Sequence, residues 1–268
     1  VLTKFDKDIE ASSIGNNKFL GEIATGWSTG RGPNGGYIAA CLMSAMNKTI
    51  DDPTRLIRSL TTHYLSPPSL GEYEITLETE KSGRSATFIT ALMRQRERVV
   101  AKAFGAFAIN LPGPFFQDVQ LGEPPRPNQI APSRVNEGRL VEMHERYISK
   151  VVPDKESFPS GRLAKSSGWL RLSENRKTDS LLLAAYSDAW LPSIFTKLDG
   201  DFAVPTLDLT IHFRSDCDPL DLDEDAFCFV KFKSQLANGG FIEEDGEIYD
   251  PGGRLLAQSR QLALLAPM

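Results

Sequence analysis

Little in this chain suggests disulfides, metals or nucleic acid. Its three cysteines, Cys41, Cys217 and Cys228, are odd in number and lack metal-ligand spacing. They read as buried free thiols of a reducing compartment. Acidic and basic residues nearly balance at 35 and 30, so there is no basic excess from which many phosphate contacts could be built. No apolar run approaches the roughly 20 residues that span a bilayer. The first residues, Val1-Leu2-Thr3-Lys4-Phe5-Asp6, are too charged for a secretory signal, although an initiator or presequence could be missing. Ala266-Pro267-Met268 is not a peroxisomal address. Also missing are a Gly-x-Ser-x-Gly elbow, a His-Glu-x-x-His pair, a P-loop and a Gly-x-Gly-x-x-Gly turn. The expectation is a soluble cytoplasmic protein without metal or cofactor.

What is present is a repeat. Leu60-Thr61-Thr62-His63-Tyr64 returns as Leu209-Thr210-Ile211-His212-Phe213, and Arg98-Val99-Val100-Ala101-Lys102 as Arg254-Leu255-Leu256-Ala257-Gln258. The two matches keep their order, with offsets of 149 (63 to 212) and 156 (98 to 254). Either alone is chance-level; together they indicate duplication.

The elements between the matches agree. In the first half, Asn34-Gly35-Gly36 turns into an apolar helix over 37–46. A candidate opening strand at 19–23 precedes it, and strands are expected at 56–65, 72–81, 85–96 and 99–110, with a turn at Gly83-Arg84. In the second half a strand at 169–172 leads to a helix at 181–191 stopped by Pro192. Strands follow at 206–214, 226–235, 240–249 and 254–265, the last two joined by Asp250-Pro251-Gly252-Gly253. Residues 111–132 are dense in Pro and Gly and read as a surface linker. The domain expectation is an N-terminal repeat over 1–110, a connecting segment over 111–167 and a C-terminal repeat over 168–268.

One helix followed by antiparallel strands, twice, is an α+β arrangement. Leu181-Leu182-Leu183-Ala184-Ala185-Tyr186 has no polar face, so its helix should be enclosed rather than resting on a surface. A helix wrapped by a curved antiparallel sheet is the hotdog arrangement, here a double hotdog.

Asp188 stands out at the end of that apolar helix. Burial would be costly without hydrogen bonds and would raise its pKa; the alternative is a side chain projecting into solvent. Gln261 shares one strand face with Ala257, Ser259 and Ala263 by period-two alternation. A long amide in that row is either a core hydrogen-bonder or a site residue. Thr206 begins a strand whose apolar face is Leu207, Leu209, Ile211 and Phe213, so it reaches a site only through twist or a bulge. His63 and His212 hold the same place in both copies, which favours a structural role. His144 lies in the connecting segment and is expected to be solvated.

Gly32-Pro33-Asn34-Gly35-Gly36-Tyr37-Ile38-Ala39-Ala40 before an apolar helix resembles the TesB-like, type II acyl-CoA thioesterases. So do His63-Tyr64-Leu65-Ser66-Pro67-Pro68 and Gly83-Arg84-Ser85. In the second half the matching segments are Tyr186-Ser187-Asp188, the run from Pro205 to Phe213, and Leu255-Leu256-Ala257-Gln258-Ser259-Arg260-Gln261. The likeness covers about 19–265 and is poor only across the linker. It implies a double hotdog and hydrolysis of acyl-CoA to free fatty acid and CoA. It also implies an Asp, a Thr and a Gln of the second repeat holding a hydrolytic water, which match Asp188, Thr206 and Gln261. Asn34, Gly35, Gly36 and Tyr37 are then candidates for substrate binding, with the glycine turn as an oxyanion donor and Tyr37, Ile38 and Leu42 as tunnel lining. Core packing accounts for those three equally well.

The rival readings are a hotdog enoyl-CoA hydratase, which would need an Asp and a His working together, and a non-catalytic acyl-CoA-binding protein. An acyl carrier protein could replace CoA as donor, although no concentrated basic patch is present to dock it. Further homo-oligomerisation is possible but not required, because a fused pair already supplies the hotdog dimer. By the repeat offsets, Asp188, Thr206 and Gln261 correspond to Met43, Ile57 and Gly105. None of those could activate water, so one active site per chain is expected.

Overall fold

The two halves repeat one chain order. The computed structural model describes residues 2–29, 32–131, 141–153, 163–198 and 202–267. Val1, Met268 and parts of the connecting segment (132–140 and 154–162) lie outside the described residues. The first half runs α1 (Lys4–Asp8), β1 (Ala11–Gly15), β2 (Lys18–Ile23), α2 (Gly35–Asn47), β3 (Leu56–Tyr64), β4 (Gly71–Ser82), β5 (Ala86–Gln95) and β6 (Arg98–Ala108). The second runs β7 (Tyr147–Val151), β8 (Ala164–Leu172), α3 (Ser180–Tyr186), β9 (Phe202–Ala203), β10 (Thr206–Phe213), β11 (Cys228–Ser234), β12 (Ala237–Asn238), β13 (Phe241–Tyr249), β14 (Leu255–Leu264) and β15 (Ala266–Pro267).

Among the described residues one antiparallel sheet of 13 strands forms, ordered β1-β2-β4-β5-β6-β3-β10-β14-β13-β11-β8-β7 with β12 attached to β13. The order outward from the centre is the same on both sides, β3-β6-β5-β4-β2-β1 against β10-β14-β13-β11-β8-β7. At the centre Thr61 lies opposite Thr210, Leu60 opposite Ile211 and Thr62 opposite Leu209. The Thr61 and Thr210 hydroxyl oxygens are 3.0 Å apart, which places the axis relating the copies between them. This is the double hotdog expected from the repeat.

The helices α2 and α3 lie inside the sheet, packed on each other. Asn34 caps α2, its Oδ1 accepting from the Tyr37 amide at 3.0 Å, and every α2 residue from Gly36 to Met46 is buried, the enclosure that a helix apolar on nearly every side demands. Asp179 caps α3 by accepting from the Leu182 amide at 2.9 Å. This helix stops at Tyr186 rather than near Pro192, because the chain turns at Ser187, whose hydroxyl donates back to the Leu183 carbonyl at 2.9 Å. The early stop leaves Asp188 just beyond the helix end instead of within it. The second copy's opening strands are β7 and the first part of β8, which fall inside the segment expected to be a connection. No helix of the described residues is long and apolar enough to cross a membrane.

Two expectations need correction. His144 is half-buried rather than solvated, and burial pulls its pKa down. Cys41 and Cys228 are buried, their thiols pushed up to about 12, but Cys217 is only partly buried.

Candidate active site

The glycine pair at the start of α2 sets how close the two helices come. A Cβ on Gly36 would stand 2.6 Å from the Ala185 carbonyl oxygen, and one on Gly35 would stand 2.9 Å from Asp188 Oδ2. Only glycine lets the amino end of α2 abut the carboxyl end of α3. That contact fixes Asp188. Its Oδ2 accepts from Asn34 Nδ2 at 2.8 Å and from the Gly36 amide at 3.2 Å, while Asn34 Nδ2 also donates to the Asp188 carbonyl at 2.7 Å. Part of the residue's surface stays open, yet protein encloses the carboxyl group. Burial pushes its pKa up to about 6, against the Gly36, Gly35 and Asn34 donors that favour the charge. Of the two readings of Asp188, solvent or enclosure, the second is the one found.

Asn34, Gly35, Gly36 and Asp188 thus form one cluster, but the Gly36 amide donates to Asp188 instead of standing free for an oxyanion. Tyr37 faces the other way. It stacks on Trp27 with centroids 5.0 Å apart, and its hydroxyl donates to the Asp8 carbonyl at 2.9 Å. Tyr37, Ile38 and Leu42 are 0–1 % exposed and belong to the core.

A bulge brings Thr206 inside. Between β10 and β14 the register shifts after Thr206, which pairs with Ala263, while Leu209 pairs with Gln261. Residues directly opposite share a face, so Thr206 joins Leu209, Ile211 and Gln261 on the inner face although simple alternation would turn it outward. The Thr206 hydroxyl then donates to Gln261 Oε1 at 2.8 Å. Gln261 in turn donates through Nε2 to Glu244 Oε1 at 3.0 Å, and the Ser193 amide donates to Glu244 Oε2. Gln261 and Glu244 are both buried. Burial pushes the Glu244 carboxyl up to about 7, the donors from Ser193 and Gln261 oppose this, and the nearby Asp188 charge adds to it. That electrostatic coupling ties the Thr206–Gln261–Glu244 chain to the Asp188 cluster.

Sequence reasoning missed Glu244 and Tyr64. Glu244 hides in the acidic run Glu243-Glu244-Asp245, although alternation sets it on the face of Ile242, Gly246 and Ile248, and that was the signal overlooked. The Tyr64 hydroxyl donates to the Gly35 carbonyl at 2.7 Å, and the neighbouring Asp188 charge adds to burial in raising its pKa. Its signal is the repeat itself, where Tyr64 has Phe213 as its counterpart. His63 and His212 are exposed, and His212 pairs with Gln258 on the outer face, away from Gln261.

Among known families, the acyl-CoA thioesterase N-terminal domain matches residues 23–108 and the acyl-CoA thioesterase C-terminal domain matches residues 122–265. Comparison with curated proteins gives no match. Among solved structures, a hot dog fold protein from Alicyclobacillus acidocaldarius superposes with a TM-score of 0.90 at 22% identity, covering 100% of both chains. The acyl-CoA thioesterase II TesB2 of Mycobacterium marinum gives 0.80 at 20% identity, covering 99% of this chain and 98% of that one. The tesB protein of Mycobacterium avium subs paratuberculosis gives 0.77 at 17% identity over 97% of each chain. At these identities the structural likeness is one of fold.

Proposed function

The chain belongs to the acyl-CoA thioesterase family, and from that premise we propose that Asp188, Thr206 and Gln261 hold and activate the water that hydrolyses an acyl-CoA to free acid and CoA. The observation that carries the reading is a pair of polar clusters turned into the same interior, one ending on the Asp188 carboxylate and the other on the Thr206–Gln261 pair, with the Asp188 charge felt at Glu244.

Each residue type suits its task. A thioester is reactive enough for positioned water to attack it without a covalent intermediate. Asp188, raised to about 6, is ionised at neutral pH yet basic enough to take a proton from water as it attacks. The donors from Asn34 and Gly36 both end on Oδ2, so the water would meet Oδ1. The Thr206 hydroxyl and Gln261 amide would fix the water's direction, converting a diffusional encounter into a positioned one. Stabilisation of the developing oxyanion would draw on the field at the amino end of α2.

An Asp–His hydratase pairing has less support, because His63 and His212 lie on the outer side of the sheet. The test is release of CoA thiol by the purified protein across acyl-CoAs of increasing chain length. Turnover on at least some members is expected; a folded protein that binds these ligands and turns over none would favour the non-catalytic reading. The same series would identify the acyl chain preferred.

A further inference from the structure

We propose that Glu244 is a positioning residue of this site, holding the Gln261 amide so that its oxygen takes the Thr206 hydroxyl and a free N–H faces the attacking water. The inference rests on the hydrolytic reading above and deepens it.

The direction of the hydrogen-bond chain is fixed at one end by chemistry that cannot reverse. The Ser193 amide can only donate, so Glu244 Oε2 accepts. An ionised carboxylate has no proton to give, so Oε1 also accepts, and the group it faces on Gln261 must be the NH2. The Gln261 oxygen is therefore turned toward Thr206, whose hydroxyl is committed as donor at 2.8 Å. That leaves lone pairs on Thr206 and the second hydrogen on Gln261 Nε2. A water placed there finds one acceptor and one donor, which fixes its orientation. Protonation of Glu244 at Oε1 would allow the amide to flip, and the polarity offered to the water would reverse.

The fold does not require a carboxylate at this place. Glu244 pairs with Gln261 across β13 and β14, and the equivalent pair in the first copy is Ile89 with Gly105 across β5 and β6. Ile89 is 1 % exposed, so the same position in the same sheet is filled by an apolar side chain without loss of the architecture. A buried carboxyl is costly to keep, and this one has its raised pKa from burial and from the Asp188 charge across the site. The side chains bonded around it, Ser193 and Gln261, are neutral, as are the next groups along the chain, Thr206 and Ser234.

The test is Glu244→Gln. The Ser193 amide would take the new amide's oxygen, leaving its NH2 toward Gln261, which must flip to accept. Every group stays satisfied while the polarity reverses. The expected result is a fall in kcat of about 10- to 100-fold with KM within about twofold, and with the unfolding midpoint little changed. In a Gln261→Ala background, Glu244→Gln should remove nothing further, because the two act as one unit. The wild-type pH profile should also carry a second ionisation near 7 that Glu244→Gln loses. Unchanged kcat in Glu244→Gln, or losses that multiply in the double variant, overturn the proposal. Should that variant not fold, Glu244→Ile, the residue of the first copy, and the wild-type profile give the same readout. Full activity in Gln261→Ala would instead remove the hydrolytic reading; an impaired Gln261→Ala beside an unaffected Glu244→Gln removes only the role of Glu244.

Discussion

The first and second copies share a scaffold down to a common bulge, yet they divide the polar groups unequally: the first supplies only the Asn34 and Gly36 donors that hold Asp188, and the second supplies Asp188, Thr206, Gln261 and Glu244. The bulge that turns Thr206 inward recurs in the first copy, where the register between β3 and β6 shifts between Ile57 and Ser59. There it turns in Ile57, which is 4 % exposed. Gln261 stands opposite Leu209, and its counterpart Gly105 stands opposite Leu60. A Cβ on Gly105 would meet Met46 Sδ at 2.8 Å, so the space that holds an amide in one copy is filled by a methionine in the other. Met43, the counterpart of Asp188, sits mid-helix because α2 runs on to Asn47 while α3 stops at Tyr186. The difference teaches that the bulge and the helix contact are properties of the duplicated scaffold. On the proposed reading the chemistry rests on four side chains, Asp188, Thr206, Gln261 and Glu244, where the first copy has Met43, Ile57, Gly105 and Ile89.

The sharpest way to break this comparison is to remove the base. Asp188→Ala should lower kcat by roughly 100- to 10,000-fold in a thiol-release assay, whereas Met43→Leu should leave kcat within about twofold. Equal losses from both would mean that the copies share the work. Smaller effects, on the order of 10- to 100-fold, are expected from Thr206→Val and Gln261→Ala. Gly105→Ala probes the filled copy. Its new methyl group crowds Met46, so the cost should appear as about 1–3 kcal/mol of stability in denaturant unfolding, with kcat retained. Loss of activity at unchanged stability would show that the first copy has a site after all.

The least disruptive probe is pH. As the proposed base Asp188 acts as the carboxylate, so kcat/KM should fall as pH drops through about 6. Stability runs the other way. A carboxyl raised from 3.8 in the folded state favours the protonated form. Its stabilising contribution is therefore complete below about pH 4 and lost as pH rises through about 6. Asp188→Asn removes that loss, so its stability relative to wild type should increase between about pH 4 and pH 6 and level off above. A constant difference across that range would mean that Asp188 titrates normally.

Much of this architecture is legible in the residues alone. The offset of 149 residues between Thr61 and Thr210 is the pairing at the sheet centre, and the apolar run from Tyr37 to Met46, broken only by Ser44, is the buried helix. Asp188 is conspicuous because an acid at the end of such a run has few ways to be accommodated. Gln261 is visible for the same reason in a row of small residues. Thr206 is not, since its inward turn depends on a register shift that alternation along one strand cannot reveal. Tyr37 looks like a site residue through its neighbours in sequence, but successive helical positions point in different directions, and its ring faces Trp27 instead of Asp188.

Composition, periodicity and the repeat by themselves determined the double hotdog and the enclosed helices and made Asp188 and Gln261 of the second copy conspicuous, because these follow from which side chains must leave water and at what spacing; Thr206 came only with the family resemblance. Tertiary structure alone decided which of those polar groups meet. The closeness of α2 to α3 at Gly36, the bulge at Thr206 and the hydrogen bonds of Glu244 to Ser193 and Gln261 each depend on contacts between segments far apart in the chain. Hydrogen bonds of that kind are set by geometry that no local pattern encodes.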